Sequence, residues 1–241
     1  MNNTPCEELR KVRAVVLDFD GVLAESVNGD PVLYALRKGD PNRAPPHMRP
    51  LFEIAKHRRN DGASLISMLE EAGMDVSDRD LILEISAYIS WNTRNDYIAF
   101  SWIGIFIPML ATHVKMALCS NNTLRTIRHV LGPLLDHFMS IRAFEDVTKL
   151  KPHPEGLRSI SDQLGIEPSE MLLVGDTIGD MISALTAGTH FGLATWGRKQ
   201  VPWLKQFLNP NYAGCCDESI IFQISDPRKL LAIVAQNDQV P

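Results

Sequence analysis

Cysteine and positive charge are both scarce in this chain, and each scarcity excludes a class of protein. The 241 residues include four cysteines, which are Cys6, Cys119, Cys215 and Cys216. They are too few and too irregularly spaced for a disulfide framework or a zinc site. The formal net charge of -5 leaves no basic excess with which to bind nucleic acid. We therefore expect no nucleic-acid partner, and free thiols at Cys215 and Cys216 unless that adjacent pair forms a strained bridge.

Long hydrophobic runs are also lacking. Residues 1–11 contain no apolar segment, so we expect no signal peptide. The apolar stretch at residues 97–111 is shorter than the ~20 residues that a membrane-spanning helix needs, and Pro108 interrupts it. We expect this stretch to be buried in the core, with an exposed apolar contact surface as the alternative. The composition thus favours a cytoplasmic protein that does not contact a membrane.

An apolar run near the N-terminus ends in two aspartates. Residues 15–17 predict a short buried strand, and Gly21 ends it. Asp18 and Asp20 are two residues apart, so in an extended chain both carboxylates face one side, at the strand end where open parallel sheets bind ligands. Two such acids repel unless a cation relieves them or one attacks while the other transfers a proton. A turn or helix cap formed by Asp20 and Gly21 is the alternative.

The pattern along the rest of the chain predicts two domains. The predicted helices before residue 102 are 31–38, 51–59, 64–71 and 79–88, with a proline-rich loop at 39–50. The predicted strands after it are 114–119, 138–144, 171–174, 190–195 and a segment near 220–224. The predicted helices between and after them are 123–131, 154–164, 181–187 and 227–235. Such alternation is typical of an α/β fold, here a Rossmann-like doubly wound parallel sheet over 1–23 and 102–241 with a helical insertion over 24–101.

Three further strand ends carry polar groups suited to a phosphate. Ser120 follows a predicted strand, and its hydroxyl together with the Asn121 backbone N–H at a helix start would form an anion cradle. Lys151 stands in Lys-Pro-His-Pro before a helix, where it can neutralise phosphate and carboxylates. Asp176 and Asp180, in Gly-Asp-Thr-Ile-Gly-Asp, offer the oxygen ligands that Mg²⁺ prefers. Taken singly, these features also fit a helix cap, a surface lysine and a turn.

In this order the motifs resemble the four signature motifs of the haloacid dehalogenase-like hydrolase superfamily. The similarity is greatest to the phosphoglycolate-phosphatase-like branch, which has a helical cap between the first two motifs. Glu25-Ser26 and Ala187-Gly188 match further features of that branch. The resemblance implies an α/β core with a cap over 24–101. It also implies a Mg²⁺-dependent phosphomonoester hydrolase that acts on a small phosphorylated metabolite.

The resemblance implies a role for each motif residue. Asp18 would be the nucleophile that forms an aspartyl-phosphate, and Asp20 would be the general acid and base. The groups that would bind the phosphoryl oxygens belong to Ser120, Asn121 and Lys151. The groups that would hold Mg²⁺ belong to Asp18, Asp176 and the Asp20 backbone carbonyl. Asp180 would support the site.

Two other functions stay open at this point. A phosphomutase of the β-phosphoglucomutase type keeps the same motifs and differs mainly in its cap. An inactive binding module would have lost Asp18, Asp20 or Lys151, and all three are present. Because residues 56–59 are unusually basic, we predict that Arg58 and Arg59 recognise an extra negative charge on the substrate, with a solvated helix face as the alternative. The protein is expected to be a monomer or a homodimer.

Overall fold

The computed structural model describes residues 11–58, 65–93, 95–197 and 221–234. The chain forms two compact units, one of Met1–Glu25 with Ala99–Pro241 and one of Ser26–Ile98. We call the first the core unit and the second the helical unit. Four residues about which the sequence made predictions lie outside the described ranges, namely Cys6, Arg59, Cys215 and Cys216.

Six parallel strands form the sheet of the core unit. They are β1 (Ala14–Leu17), β4 (Lys115–Cys119), β5 (Ser140–Arg142), β6 (Met171–Gly175), β7 (His190–Ala194) and β8 (Ile221–Ile224). Their order is β5-β4-β1-β6-β7-β8, and every pairing is parallel. The chain therefore winds outward from β1 to one edge and then outward to the other, which confirms the predicted doubly wound α/β fold.

The register of the three central strands places their carboxyl ends level. Leu17 at the end of β1 lies opposite Leu118 of β4 on one side and Val174 of β6 on the other. β1 is fully buried because both of its faces are covered, as its unbroken apolar sequence predicts. Residues that follow these strands consequently meet at one edge of the sheet.

Helices cover the sheet of the core unit. They are α5 (Ile103–Ala111), α6 (Leu124–Leu131), α7 (Glu155–Leu164), α8 (Ile178–Ala187) and α9 (Arg228–Val234). α7 and α8 pack on the sheet through a cluster that includes Leu157, Ile160, Met181 and Ala184. Within the part of the chain that is described, no helix has both the length and the hydropathy to cross a bilayer.

The apolar stretch at 97–111 has two different faces. Most of it is α5, which contacts β4 and α9. Phe106 and Leu110 are buried, whereas Ile105 is 76% exposed and Met109 is 43% exposed. The predicted burial and its alternative, an exposed apolar surface, thus each apply to one side of the same helix.

Among the described residues of the helical unit, four segments form α-helices. They are α1 (Pro31–Lys38), α2 (Arg49–His57), α3 (Leu65–Glu71) and α4 (Arg79–Thr93). Asp30 begins α1 by accepting hydrogen bonds from the backbone N–H groups of Val32 and Leu33. α2 begins within the predicted loop 39–50, and α4 continues past the predicted end at residue 88. The chain passes between the units through two short paired strands that the sequence did not indicate, β2 (Ala24–Ser26) and β3 (Tyr97–Ala99).

Candidate active site

The sheet brings the motif residues to one edge. The backbone N–H of Asp18 donates to the Val174 carbonyl at 2.9 Å, and that of Ser120 donates to the Arg142 carbonyl at 2.9 Å. Both residues therefore extend the sheet by one position beyond their strands. Asp176 follows β6 directly, so all three lie at the carboxyl ends of adjacent strands, where ligands bind in open α/β sheets.

Lys151 is the cation at the centre of this edge. Its Nζ lies 2.9 Å from Asp18 Oδ1, and the side chains of both residues are 7% exposed. The same Nζ donates to Asp180 Oδ1 at 2.5 Å and to the Cys119 carbonyl at 2.8 Å. Burial alone lowers the pKa of Lys151, but Asp18 and Asp180 outweigh it and raise that pKa above the ordinary value. Lys151 is therefore a fixed positive charge.

Burial also raises the pKa of Asp18, to about 7, because Lys151 offsets only part of the desolvation and the charges of Asp180 and Asp20 oppose ionisation. A further cation beside Asp18 would favour its ionised form. Burial raises the pKa of the neighbouring Cys119 thiol to about 11. A thiol with that pKa stays protonated at neutral pH, which leaves Asp18 as the better nucleophile.

Three buried carboxylates could hold a metal ion. One ligand atom from each of Asp18, Asp176 and Asp180 lies within 4.8 Å of the others. Asp180 is already engaged, because its Oδ2 accepts hydrogen bonds from the Thr177 N–H at 3.0 Å and the Thr177 hydroxyl at 2.5 Å, and its Oδ1 accepts from Lys151. The bond from the Thr177 N–H, together with the bond that the Asp180 N–H donates to Thr177 Oγ1 at 3.2 Å, forms the capping box at the start of α8. Asp18 and Asp176 lie in this cluster with Asp180 and are the two carboxylates that the resemblance assigns to the cation.

Gly21 leaves room for the Asp176 carboxylate. Its φ is +72°, and a Cβ at this position would lie 2.0 Å from Asp176 Oδ2. A glycine thus satisfies both the left-handed backbone and the close approach of the acid. Because every candidate ligand here is an oxygen, the site fits a hard divalent cation such as Mg²⁺.

Asp20, the second acid of the first motif, is half-buried and contacts Asn122. The Asn122 side-chain amide donates to both Asp20 carboxylate oxygens, at 3.1 Å and 3.4 Å. Sequence reasoning did not include Asn122 in the site. Its position directly after Ser120 and Asn121 at a strand end was the signal that could have identified it.

The side chain of Asn121 is hydrogen-bonded to the backbone of Lys151. Its side-chain Nδ2 donates to the Lys151 carbonyl at 2.9 Å, and its Oδ1 accepts from the Lys151 N–H at 2.9 Å. Ser120 is buried, and its Oγ accepts from the Asn122 N–H at 3.1 Å. The loop after β4 therefore reaches two other motifs, Lys151 through one asparagine and Asp20 through the next.

The predicted cap residue Arg58 belongs to the helical unit and has partners there. Its guanidinium lies 2.7 Å from Glu71 Oε2 and donates to the Ser67 hydroxyl at 3.0 Å. An anionic substrate would compete with Glu71 for this group. The role predicted for Arg58 in substrate recognition stays a prediction.

The chain is similar to several known proteins. A family model described as haloacid dehalogenase-like hydrolase matches residues 15–194. A phosphoglycolate phosphatase of Rhodospirillum rubrum is 26% identical over 204 residues, which span 79% of this chain and 82% of that protein. The pyrophosphatase PpaX of Oceanobacillus iheyensis is 36% identical over 75 residues, which span 31% of this chain and only 35% of that protein. The crystal structure of a hydrolase from Pseudomonas syringae aligns with a TM-score of 0.64 and 19% identity, over 91% of this chain and 96% of that one.

Proposed function

The chain belongs to the haloacid dehalogenase-like hydrolase family, and we propose that it hydrolyses a small phosphorylated metabolite with the help of Mg²⁺. Membership confirms the family predicted from the four motifs, and the relatives confirm the likeness to phosphoglycolate phosphatases. The observation that most supports the proposal is the buried pair of Asp18 and Lys151 at 2.9 Å, beside Asp176. On this proposal Asp18 acts as the nucleophile, Lys151 as a fixed cation and Asp176 as a further carboxylate beside the bound phosphate.

In the first step, a carboxylate oxygen of Asp18 attacks phosphorus and the bond from phosphorus to the leaving oxygen breaks. The leaving oxygen takes a proton from the carboxyl group of Asp20, so an alcohol departs and an aspartyl-phosphate remains on Asp18. Lys151 stabilises the negative charge on the transferring oxygens. The Ser120 hydroxyl and the Asn121 N–H provide further hydrogen bonds to them.

In the second step, the Asp20 carboxylate takes a proton from a water molecule whose oxygen attacks phosphorus. The bond between phosphorus and Asp18 breaks, inorganic phosphate leaves, and Asp20 is again protonated. Each group returns to its starting state, so the cycle balances.

The Mg²⁺ would be held by Asp18, Asp176 and the Asp20 backbone carbonyl, and when bound it would neutralise charge on the phosphoryl oxygens. Asp180 contributes by fixing Lys151 and the start of α8. The support for this assignment is the all-oxygen set of buried ligands and the space that Gly21 leaves beside Asp176.

Phosphate release from p-nitrophenyl phosphate and from a panel of phosphorylated metabolites, including phosphoglycolate and pyrophosphate, tests the proposal. Turnover should need Mg²⁺ and should stop on addition of a chelator. Asp18→Asn should retain less than about 1% of the activity, consistent with the loss of a nucleophile that acts with its partners as a unit. Asp162→Asn, which alters an exposed carboxylate on α7, is the matched control and should stay fully active.

Isotope-labelled water distinguishes hydrolysis from mutase chemistry. With ¹⁸O-water, the label should appear in the released phosphate, since water attacks the phosphoenzyme. Isomerisation of a sugar phosphate without free phosphate would instead identify a phosphomutase. Retention by Asp18→Asn of more than a few per cent of the wild-type activity would overturn the assigned mechanism.

A further inference from the structure

The amide of Asn122 is the hydrogen-bond donor that the structure places against the Asp20 carboxylate. One nitrogen, Nδ2, lies 3.1 Å from one carboxylate oxygen and 3.4 Å from the other. A single donor shared by both oxygens fixes the direction of the carboxylate, which sits on the turn after β1. Gly21 closes that turn by donating its N–H to the Ala24 carbonyl at 2.7 Å.

Asn122 is itself held in place by three other hydrogen bonds. Its Oδ1 accepts from the Thr123 N–H at 2.8 Å, and its own N–H donates to Ser120 Oγ at 3.1 Å. Its carbonyl accepts from the Phe144 N–H at 3.0 Å. The amide plane is thereby fixed, with Oδ1 facing the start of α6 and Nδ2 facing Asp20. A fixed donor can orient a neighbouring side chain, whereas a mobile one would follow it.

We propose that Asn122 is a positioning residue that aims the Asp20 carboxyl group at the leaving oxygen. The proposal rests on the hydrolase function above, in which Asp20 is the general acid. Proton transfer requires the acid within hydrogen-bond reach of its target, so a small misplacement slows the reaction. The loss is greatest where the leaving group most needs a proton.

The neighbouring Asn121 provides a matched comparison. Its amide holds the backbone of Lys151 rather than Asp20. Lys151 stabilises the transferring phosphoryl group, whichever alcohol departs. Loss of the Asn121 amide should therefore slow every substrate by the same factor, whereas loss of the Asn122 amide should depend on the leaving group.

Values of kcat/KM for phenyl phosphate and p-nitrophenyl phosphate test the proposal. This parameter depends only on the steps up to and including departure of the leaving group, which is where Asp20 donates its proton. Asn122→Ala should lower it by about 10–100-fold on phenyl phosphate and by less than about threefold on p-nitrophenyl phosphate, whose leaving group hardly needs a proton. Asn122→Asp should lower the phenyl phosphate value at least as far, because it keeps an acceptor for the Thr123 N–H, removes the donor and adds a carboxylate that repels Asp20. Asn121→Ala should lower both values alike.

A mutant cycle with Asp20→Asn tests whether the two residues act together. In the Asp20→Asn protein, Asn122→Ala should lower kcat/KM for phenyl phosphate by less than about twofold, because the general acid that Asn122 positions is no longer present. Equal losses on the two substrates, or losses that multiply in the cycle, would overturn the role of Asn122 while leaving the hydrolase intact. Absence of phosphate release by the wild-type protein would instead overturn the proposed function. Asn122→Asp keeps the test informative if Asn122→Ala does not fold.

Discussion

One ion pair of the core unit and one ion pair of the helical unit differ in how deeply they are buried. In the core unit, Lys151 and Asp18 pair at 2.9 Å with 7% of each side chain exposed. In the helical unit, Lys56 and Glu53 pair at 2.6 Å but are 56% and 67% exposed. Exposed pairs contribute little, because water screens them, whereas removing one partner of a buried pair leaves an uncompensated charge. Burial, rather than the distance between the charges, therefore distinguishes an ion pair suited to chemistry from one that solubilises a surface.

Removing the buried lysine should give the largest effect. Lys151→Met leaves Asp18 and Asp180 without their shared cation, and we expect it to lower the free energy of unfolding of the metal-free protein by about 3–5 kcal/mol at neutral pH. Urea unfolding measures this change, and added Mg²⁺ should restore part of it. Lys56→Met is the control and should cost less than about 1 kcal/mol. Similar losses of unfolding free energy for both variants would contradict the effect of burial on these two ion pairs.

Two glycines with a positive φ, one from each unit, differ in what surrounds them. Gly21 in the core unit and Gly73 in the helical unit have φ of +72° and +68°, so an alanine strains the backbone at either position. Among the described residues, nothing lies within 4 Å of a Cβ at Gly73, whereas a Cβ at Gly21 would meet Asp176. We expect Gly21→Ala alone to weaken Mg²⁺ binding, by about 10–100-fold. Titration calorimetry measures it, and unchanged binding would contradict the ligand role of Asp176.

The raised pKa of Asp18, at about 7, predicts a pH dependence confined to the core unit. The unfolded chain ionises this group near its ordinary pKa of 3.8, so its contribution to the stability of the metal-free protein falls as the pH rises from about 4 to about 7. Mg²⁺ binding must displace the proton, so affinity should increase up to tenfold per pH unit below about 7 and level off above it. Calorimetry in buffers of different ionisation enthalpy detects the released proton. Asp18→Asn should abolish this release.

The smallest effect is expected in the helical unit. Replacing Arg58 and Arg59 together by glutamine should raise KM for the natural substrate about two- to fivefold, as the loss of one weak charge interaction would, and should spare p-nitrophenyl phosphate. Glu71→Gln, which removes the partner of Arg58, should lower the same KM. Equal responses of both substrates would assign these arginines to a solvated face.

Sequence reasoning predicted that the motif residues meet at one edge of the sheet, because they directly follow short apolar strands. Asp18, Ser120 and Asp176 each come at the end of a run that buries itself on both faces, so local pattern fixes where they lie. The contacts among the motifs were not predictable in this way. Lys151 meets Asp180 across 29 residues, and the amides of Asn121 and Asn122 take different partners although their side chains are identical.

The fold was predicted less well at the helix ends of the helical unit. β2 and β3 span three residues each, which is too short to show an alternating pattern. α4 continues to Thr93 because buried Ile89, Ser90 and Thr93 face the interior, an effect of packing rather than of propensity. In the core unit, α8 begins at Ile178 rather than at the predicted residue 181. The sequence contains the signal for this start, since Thr177 and Asp180 have the spacing of a capping box.

The backbone of Asp18, the proposed nucleophile, is hydrogen-bonded at the carboxyl end of the two central strands of the sheet. The Asp18 amide is bonded to Val174 on the innermost strand pair, between β4 and β7. Amides in such positions exchange with deuterium only when the whole domain opens, whereas loop amides exchange through local fluctuations. We therefore expect Asp18 to be among the slowest-exchanging residues, and heat to abolish activity and core structure at the same temperature. Loss of function on warming would then report global unfolding, with no earlier melting of the site.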